Sequence, residues 1–386
     1  MGYSKFKREI IIKDMFKAID LDKLSLNFLG TTPPDIFVGR YNYPNVFTGI
    51  LSGFGHDDEA NKLSSPESWF KEKLNMDEII AQRSKLLYSR FSSNVKNPKG
   101  KLADIMQEIS MTQKMHDVEI FLKKKPFVKL ELDTKTPPLC NFAPLVKAKM
   151  TENIKIDKKI DYVVDDYDLK AVNAIMNLYN YGYDVSSIIK LFAAGLLGVK
   201  EQRRLVPSRW STTAVDSIIS SELINKIKNY DWVNDILLFQ DEFLGNHYEI
   251  LLLPNHWSYE VIEMNTEGGC WIDYENVNGR KTYADSVVGA YYSCRLSAAE
   301  YLSKVKRQAS VLIFREIRPE YYTSVGVGIL RELSRNVFRN KPVRCNNLEE
   351  AFSLMNKRLL LNVNSFVKKS KLLREFREQK KLVMFG

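Results

Sequence analysis

The sequence predicts an α+β fold: a mixed or antiparallel sheet flanked by helices, with a basic C-terminal helix and a short flexible tail. Three observations predict it. Ile236–Glu242, Tyr248–Leu253 and Ser258–Met264 read as successive antiparallel strands, with Gly245-Asn246 and Pro254-Asn255 as turn signals. Leu169, Val172, Ile175, Met176 and Tyr179 fall on one face at helical spacing. Val311–Ile317 is a short apolar run of the kind a buried strand shows, and it carries Arg315 and Glu316. A chain of 386 residues, 45% hydrophobic and 27% charged, can bury one large core or two ordinary ones.

Taken in order, Lys5–Leu24 places Ile11, Ile12, Phe16 and Ile19 as a short helix would. Gly30–Gly53 alternates Ile36 with Val38 and Tyr41 with Tyr43, which predicts strand, turn, strand. Arg40 beside the tyrosines is a candidate nucleic-acid contact, and a tightly turned sheet edge accounts for the same residues. Ser65 before Pro66 starts a helix, because proline suits the first helical position. Met76–Tyr88 and Lys101–Ser110 continue as helices around a loop at Ser92–Gly100. Asp117–Leu132 suggests two strands around Lys123–Pro126, and Thr134–Asp161 is turn-rich. Asp168 is placed to cap a helix that Gly182 ends; Asp184 caps the next, closed by Gly195 and Gly198. Leu223–Ile227 and Tyr283–Lys304 are helical. Val327–Phe338 is helical too, which puts Arg331, Glu332 and Arg335 within about one turn of each other. Asn347, with Glu350 at the third helical position, caps a helix through Phe352, Leu354 and Met355. The organisation implied is an N-terminal α/β region (1–150), a central α+β region (151–345), a basic C-terminal helix (346–378) and a tail (379–386).

Charge narrows the function classes. The net charge of +10 favours a polyanionic partner. The four cysteines, Cys140, Cys270, Cys294 and Cys345, include no C-x-x-C pair, so a sequence-local zinc site is not expected; they read as buried thiols. His56, His116, His247 and His256 are scattered. No apolar run has the length a bilayer requires, and the charged N-terminus lacks a signal core, which together imply a soluble, cytoplasmic protein. No Walker loop, dinucleotide fingerprint or nucleophile elbow occurs.

The densest chemistry lies in Arg203-Arg204-Leu205-Val206-Pro207-Ser208-Arg209-Trp210-Ser211-Thr212-Thr213-Ala214-Val215-Asp216. Pro207 biases Val206 toward extended backbone, and Ser211–Asp216 can start a helix capped by a hydroxyl. Arg203, Arg204 and Arg209 suit phosphate, and Trp210 offers a stacking face. A structural corner with the tryptophan in the core explains the same residues. Asp216 with Asp165 or Asp166 could hold Mg²⁺ or Mn²⁺ for phosphodiester hydrolysis, since hard cations take carboxylate oxygens. Arg315, Glu316, Arg331, Glu332 and Arg335 form either a second half of that site or a buried Arg–Glu network. On this reading the candidate catalytic residues are Asp216, Asp166 and Glu332. The candidate phosphate contacts are Arg40, Arg203, Arg204, Arg209, Trp210, Arg331 and Arg335.

The Arg203–Asp216 run resembles the RRLVP-(S/T)-RWS-x-TAVD signature of the archaeal Nre family of DNA repair proteins. Gly30–Pro44 is similar to that family as well. So are Tyr291-Tyr292-Ser293-Cys294-Arg295, Arg315-Glu316-Ile317 and Gly326–Glu332. Many members carry a four-cysteine segment ahead of the Gly30 region. This sequence has no cysteine before Cys140, so no metal role of that segment carries over. The resemblance implies DNA repair and does not specify a reaction.

From Lys357 to Lys381 the sequence has nine basic and two acidic residues. It then ends Gln379-Lys380-Lys381-Leu382-Val383-Met384-Phe385-Gly386. Gln379, Leu382 and Phe385 resemble the motif that binds the sliding clamp PCNA: an apolar plug with a polar rim contact. Gly386 stands where a second aromatic is usual. The expected function is a DNA repair protein that binds DNA and docks on PCNA. The alternatives are a metal-dependent nuclease of the same pathway and a nucleotide- or RNA-handling protein.

Overall fold

In the computed structural model the described residues are 25–131 and 135–383, so the helix expected over Lys5–Leu24 lies outside them. The chain divides into two compact units: Met1–Ile218 with Thr323–Ile329, and Ile219–Tyr322 with Leu330–Gly386. The architecture is α+β, with one mixed sheet in each unit.

The first sheet contains β1 (Asn27–Thr32), β2 (Asp35–Val38), β3 (Asn45–Ser52), β4 (Leu87–Asn94), β5 (His116–Leu122), β6 (Phe127–Glu131) and β7 (Leu139–Met150). Its order is β1-β5-β7-β4-β3-β2, with β6 also on β7; β4 and β7 run parallel and the other pairs antiparallel. Gly49 permits the close approach of β3 to β4, since a Cβ there would lie 2.0 Å from the Ser89 carbonyl oxygen. Two strands were hidden in the sequence. The helical pattern of Met76–Tyr88 stops at Ser84, and its last apolar residues open β4. The turn-rich stretch after Thr134 contains β7, whose apolar alternation is broken by Pro144.

The helices of this unit are α1 (Pro66–Lys71), α2 (Met76–Ser84), α3 (Lys101–Met111), α4 (Lys158–Asp165), α5 (Ala171–Asn180), α6 (Val185–Ala193) and α7 (Ser208–Ile227), of which residues 208–218 belong here. Ser65 caps α1 by accepting the Ser68 N–H at 3.1 Å. Asp168 does not cap α5: the cap position is Lys170, and the Asp166 carboxylate accepts the amides of Asp168 and Leu169 instead. Helix α7 starts at Ser208, ahead of the expected Ser211, so Arg209 and Trp210 stand in its first turn.

The second sheet contains β8 (Ile236–Phe243), β9 (Asn246–Leu253), β10 (Ser258–Asn265), β11 (Cys270–Glu275), β12 (Ser310–Ile317) and β13 (Val343–Cys345), in the order β11-β10-β12-β9-β8-β13. β8 and β9 form the expected hairpin, but β10 does not pair with β9. The apolar strand β12 lies between them, antiparallel to β9 and parallel to β10. A parallel neighbour needs a crossover, and α8 (Gly289–Val305) lies in the segment joining β10 to β12. Cys270 is exposed, contrary to the expectation of a buried thiol, whereas Cys294 and Cys345 are buried.

Helices α9 (Val327–Val337), α10 (Leu348–Asn356), α11 (Val363–Val367) and α12 (Lys371–Val383) complete the chain. The basic C-terminal segment is thus three helices, not one. Phe352, Phe366 and Phe376 pack with Leu238, Leu251 and Phe314 in one buried cluster. Two sheet carboxylates mark the breaks. Glu316 accepts the amides of Leu360 and Leu361 at 3.1 and 2.7 Å. Glu260 accepts the amides of Lys371 and Leu372 at 2.9 and 3.2 Å, together with the Ser370 hydroxyl. Among the described residues no helix is long and apolar enough to cross a membrane.

Candidate nucleic-acid interface

Three separate pieces of the first unit are tied together at the start of α7. The Val206 N–H donates to Ala193 O at 3.0 Å, and the Leu205 N–H to Val95 O at 2.9 Å. The Val95 N–H donates in turn to Pro44 O at 2.9 Å, and the Val38 N–H to Ser208 Oγ at 3.0 Å. The β2–β3 turn, the segment after β4 and the entry to α7 are therefore fixed to one another by hydrogen bonds from backbone amides. Gly195, at φ +74°, makes the approach feasible, because a Cβ there would sit 2.7 Å from Arg204 backbone atoms.

This frame presents aromatic side chains to solvent. Tyr41, Tyr43 and Trp210 are 66%, 46% and 44% exposed. The Tyr43 and Trp210 ring centroids are 5.7 Å apart with the planes tilted by 49°, so neither ring covers the other's face. Arg40 lies over Tyr41, its Cζ 4.9 Å from the ring centroid, and donates to the Tyr41 hydroxyl at 3.1 Å. Arg204 and Lys96 are exposed and Arg209 is half-buried.

Helices α1, α2 and α10 carry acids in their first turn, as the positive helix end favours. Helix α7 carries none there, has Arg209 instead, and follows Pro207, which has no side-chain acceptor. The first turns of α5, α6, α8, α9, α11 and α12 lack an acid as well, so what sets the start of α7 apart is Arg209 beside the exposed Trp210. The hydroxyls turn the other way. Ser211 Oγ donates to Val206 O at 3.1 Å and Thr212 Oγ1 to Ser208 O at 2.9 Å, so they brace the helix start.

The other expected site residues sit elsewhere. Arg203 points inward from the same segment, donating from Nε to Gly198 O at 2.7 Å and from Nη2 to Asp166 O at 3.1 Å. Its partial burial lowers its pKa, against the pull of Tyr167, Asp165 and Asp166. Asp216 is buried within α7. Arg331, Glu332 and Arg335 belong to the second unit. Arg331 is buried there, and Arg335 binds Glu300 at 2.7 Å and Glu332 at 2.7 Å. Arg315 pairs with Glu263, and Glu316 with Arg318. His247 is wedged between Glu242 and Glu249 at 3.1 and 3.0 Å, and His256 meets the Trp232 ring edge-on. Among the described residues no group of three or more His, Cys, Asp or Glu side chains could hold a metal ion.

Lys96 had no signal of its own in the sequence, and Tyr43 stood out only as one of the tyrosines beside Arg40. Tyr43 gains its role from Trp210, far along the chain, and Lys96 lies in a stretch that reads only as a loop. At the other end, α12 includes Gln379 and Leu382 in its backbone, while their side chains, and Phe385 altogether, lie outside the described residues.

The family description "Archaeal Nre, N-terminal" matches residues 9–272, and "Archaeal Nre, C-terminal" matches residues 275–385. The chain is 34% identical over 363 residues to "DNA repair protein NreB" of Archaeoglobus fulgidus, spanning 92% of this chain and 90% of that protein. It is 34% identical over 328 residues to "DNA repair protein NreA" of Haloferax volcanii, spanning 81% and 78%. The NreA of Archaeoglobus fulgidus is 34% identical over 348 residues, spanning 87% and 86%.

Proposed function

Because the chain belongs to the archaeal Nre family, we propose that it is a DNA repair protein that binds DNA and is recruited to PCNA through its C-terminal tail. The DNA would lie on the surface made by Arg40, Tyr41, Tyr43, Arg204, Arg209 and Trp210. One observation carries this reading: exposed aromatics interleaved with arginines at the start of α7. A surface built only for stability would not keep three large rings in water beside several guanidinium groups. The net charge of +10 supports the same partner. Asp166 and Asp216 belong to the first unit and Glu332 to the second, and among the described residues no three His, Cys, Asp or Glu side chains gather as a metal-dependent nuclease would need.

Fluorescence anisotropy against salt tests the surface. Arg204→Glu combined with Arg209→Glu is expected to weaken DNA binding at least tenfold, roughly, and to reduce the log–log salt slope by about 2. Unchanged affinity and slope would remove these arginines from the interface.

The tail is tested separately. Wild-type protein is expected to be retained on immobilised PCNA, and Leu382→Ala with Phe385→Ala is expected to wash through, because the apolar plug is gone. Equal retention of the two proteins would end the docking claim.

A further inference from the structure

Resting on the DNA-binding reading above, we infer that the aromatic surface at the start of α7 selects unpaired nucleotides, so that single-stranded DNA is the preferred ligand over duplex. The ligand is decided by which ring faces are available. Arg40 already lies over Tyr41, 4.9 Å from its centroid, so that ring is partly taken up within the protein. Tyr43 and Trp210 are different. They lie 5.7 Å apart, tilted by 49°, and each keeps nearly half its surface in water. Two adjacent, non-coplanar rings suit two successive splayed bases and do not suit the edge of a stacked helix.

In a duplex the faces of the bases are covered by their neighbours, and a protein reaches only groove edges and phosphates. Exposed tryptophan and tyrosine then gain little. In a single strand each base has a face to offer, and stacking on an aromatic side chain is worth about 1–3 kcal/mol per base. The charges fit the same ligand. Arg204 and Lys96 are exposed on the segments that flank the rings, and Arg209 precedes Trp210 in a first turn with no acid. An apolar protein partner would not need this cationic frame; a phosphodiester backbone threading past stacked bases would.

Hydrogen bonds donated by backbone amides tie the turn to α7 and hold the two rings in place. The Val38 N–H bond to Ser208 Oγ and the Val95 N–H bond to Pro44 O set the Tyr43–Trp210 spacing before any ligand arrives. The preference should therefore reside in the rings themselves.

The test uses the full chain and one labelled oligonucleotide, offered as a single strand and as a duplex with its complement. The single strand is expected to bind about tenfold tighter. Trp210→Ala should weaken single-strand binding about tenfold, leave duplex binding within about twofold, and lower the melting temperature by only about a few degrees, since the ring is 44% exposed. Tyr43→Ala should act in the same direction, and Trp210→Phe should restore most of the affinity. If single strand and duplex bind equally, and Trp210→Ala lowers both alike, the selectivity is wrong although DNA binding stands. If neither form binds, both readings fall. Tight binding of single-stranded RNA alone would overturn the assignment to DNA.

Discussion

Replacing Glu275 by alanine is expected to cost the second unit about 3–5 kcal/mol, the range for orphaning one member of a buried ion pair. Glu275 ends β11, and its carboxylate is a shared acceptor. It takes the Trp257 Nε1–H at 3.0 Å, the Tyr291 hydroxyl at 2.9 Å and the Arg295 Nε–H at 2.8 Å. All four residues are buried. Tyr291 and Arg295 are four apart on α8, so they share a helix face and grip one acid together. Arg295 continues to Ser220 at 2.7 Å and Ser221 at 3.2 Å. The Tyr291–Arg295 stretch, which stood out in the sequence beside the Arg203–Asp216 run, therefore secures the fold of the second unit. Alanine would leave a buried guanidinium without its anion and two further donors without an acceptor. Glu275→Gln keeps the shape and removes the charge, and should lose less, about 1–3 kcal/mol. Urea unfolding followed by tryptophan fluorescence measures both. A loss below about 1 kcal/mol for the alanine variant would put this pair on a par with a surface ion pair.

What the sequence disclosed and concealed follows one physical line. Ser65 and Asn347 were legible as caps because a cap is settled by a side chain and an amide three residues on. An apolar helical face marked α6 and a continuous apolar run marked β12, again by local signals. The insertion of β12 between β9 and β10 was not legible, since strand order is decided by a crossover and not by either strand's residues. The breaks between α10, α11 and α12 were concealed too, because the acids that take their amides, Glu316 and Glu260, sit on distant strands. The candidate interface shows the same division. Arg40, Arg204, Arg209 and Trp210 stood out by residue type. That Tyr43 would lie against Trp210 depends on Val38 reaching Ser208, a contact between segments that no local pattern joins. The signature's arginines also looked equivalent as text, yet Arg203 binds carbonyl oxygens inside the unit while Arg204 faces water.

Glu260 yields the second large effect, and with it a pH dependence of defined sign. The carboxylate lies buried on β10 and accepts the amides of Lys371 and Leu372 and the Ser370 hydroxyl, so it caps α12 from outside that helix. Burial raises its pKa above the ordinary 4.5; the three hydrogen bonds oppose this, and nearby Glu375 adds to the rise. Since the folded state holds this proton more tightly than the unfolded chain, the stabilisation is complete below the unfolded pKa of about 4.5 and is lost as pH rises through the folded value. The stability of the wild type minus that of Glu260→Gln should therefore decline with pH across that window, and a flat difference would contradict it. Glu260→Ala removes the cap altogether and should cost about 2–3 kcal/mol. It should also hasten tryptic cleavage after Arg374 and Arg377, which α12 carries on its exposed side. Unaltered cleavage and stability in the alanine variant would mean that the packing of Phe376 and Leu373 suffices to hold the helix. If the cap does hold it, one buried acid fixes the base of the segment from which Gln379 and Leu382 extend, and loosening it should impair capture on PCNA without altering a single residue of the tail.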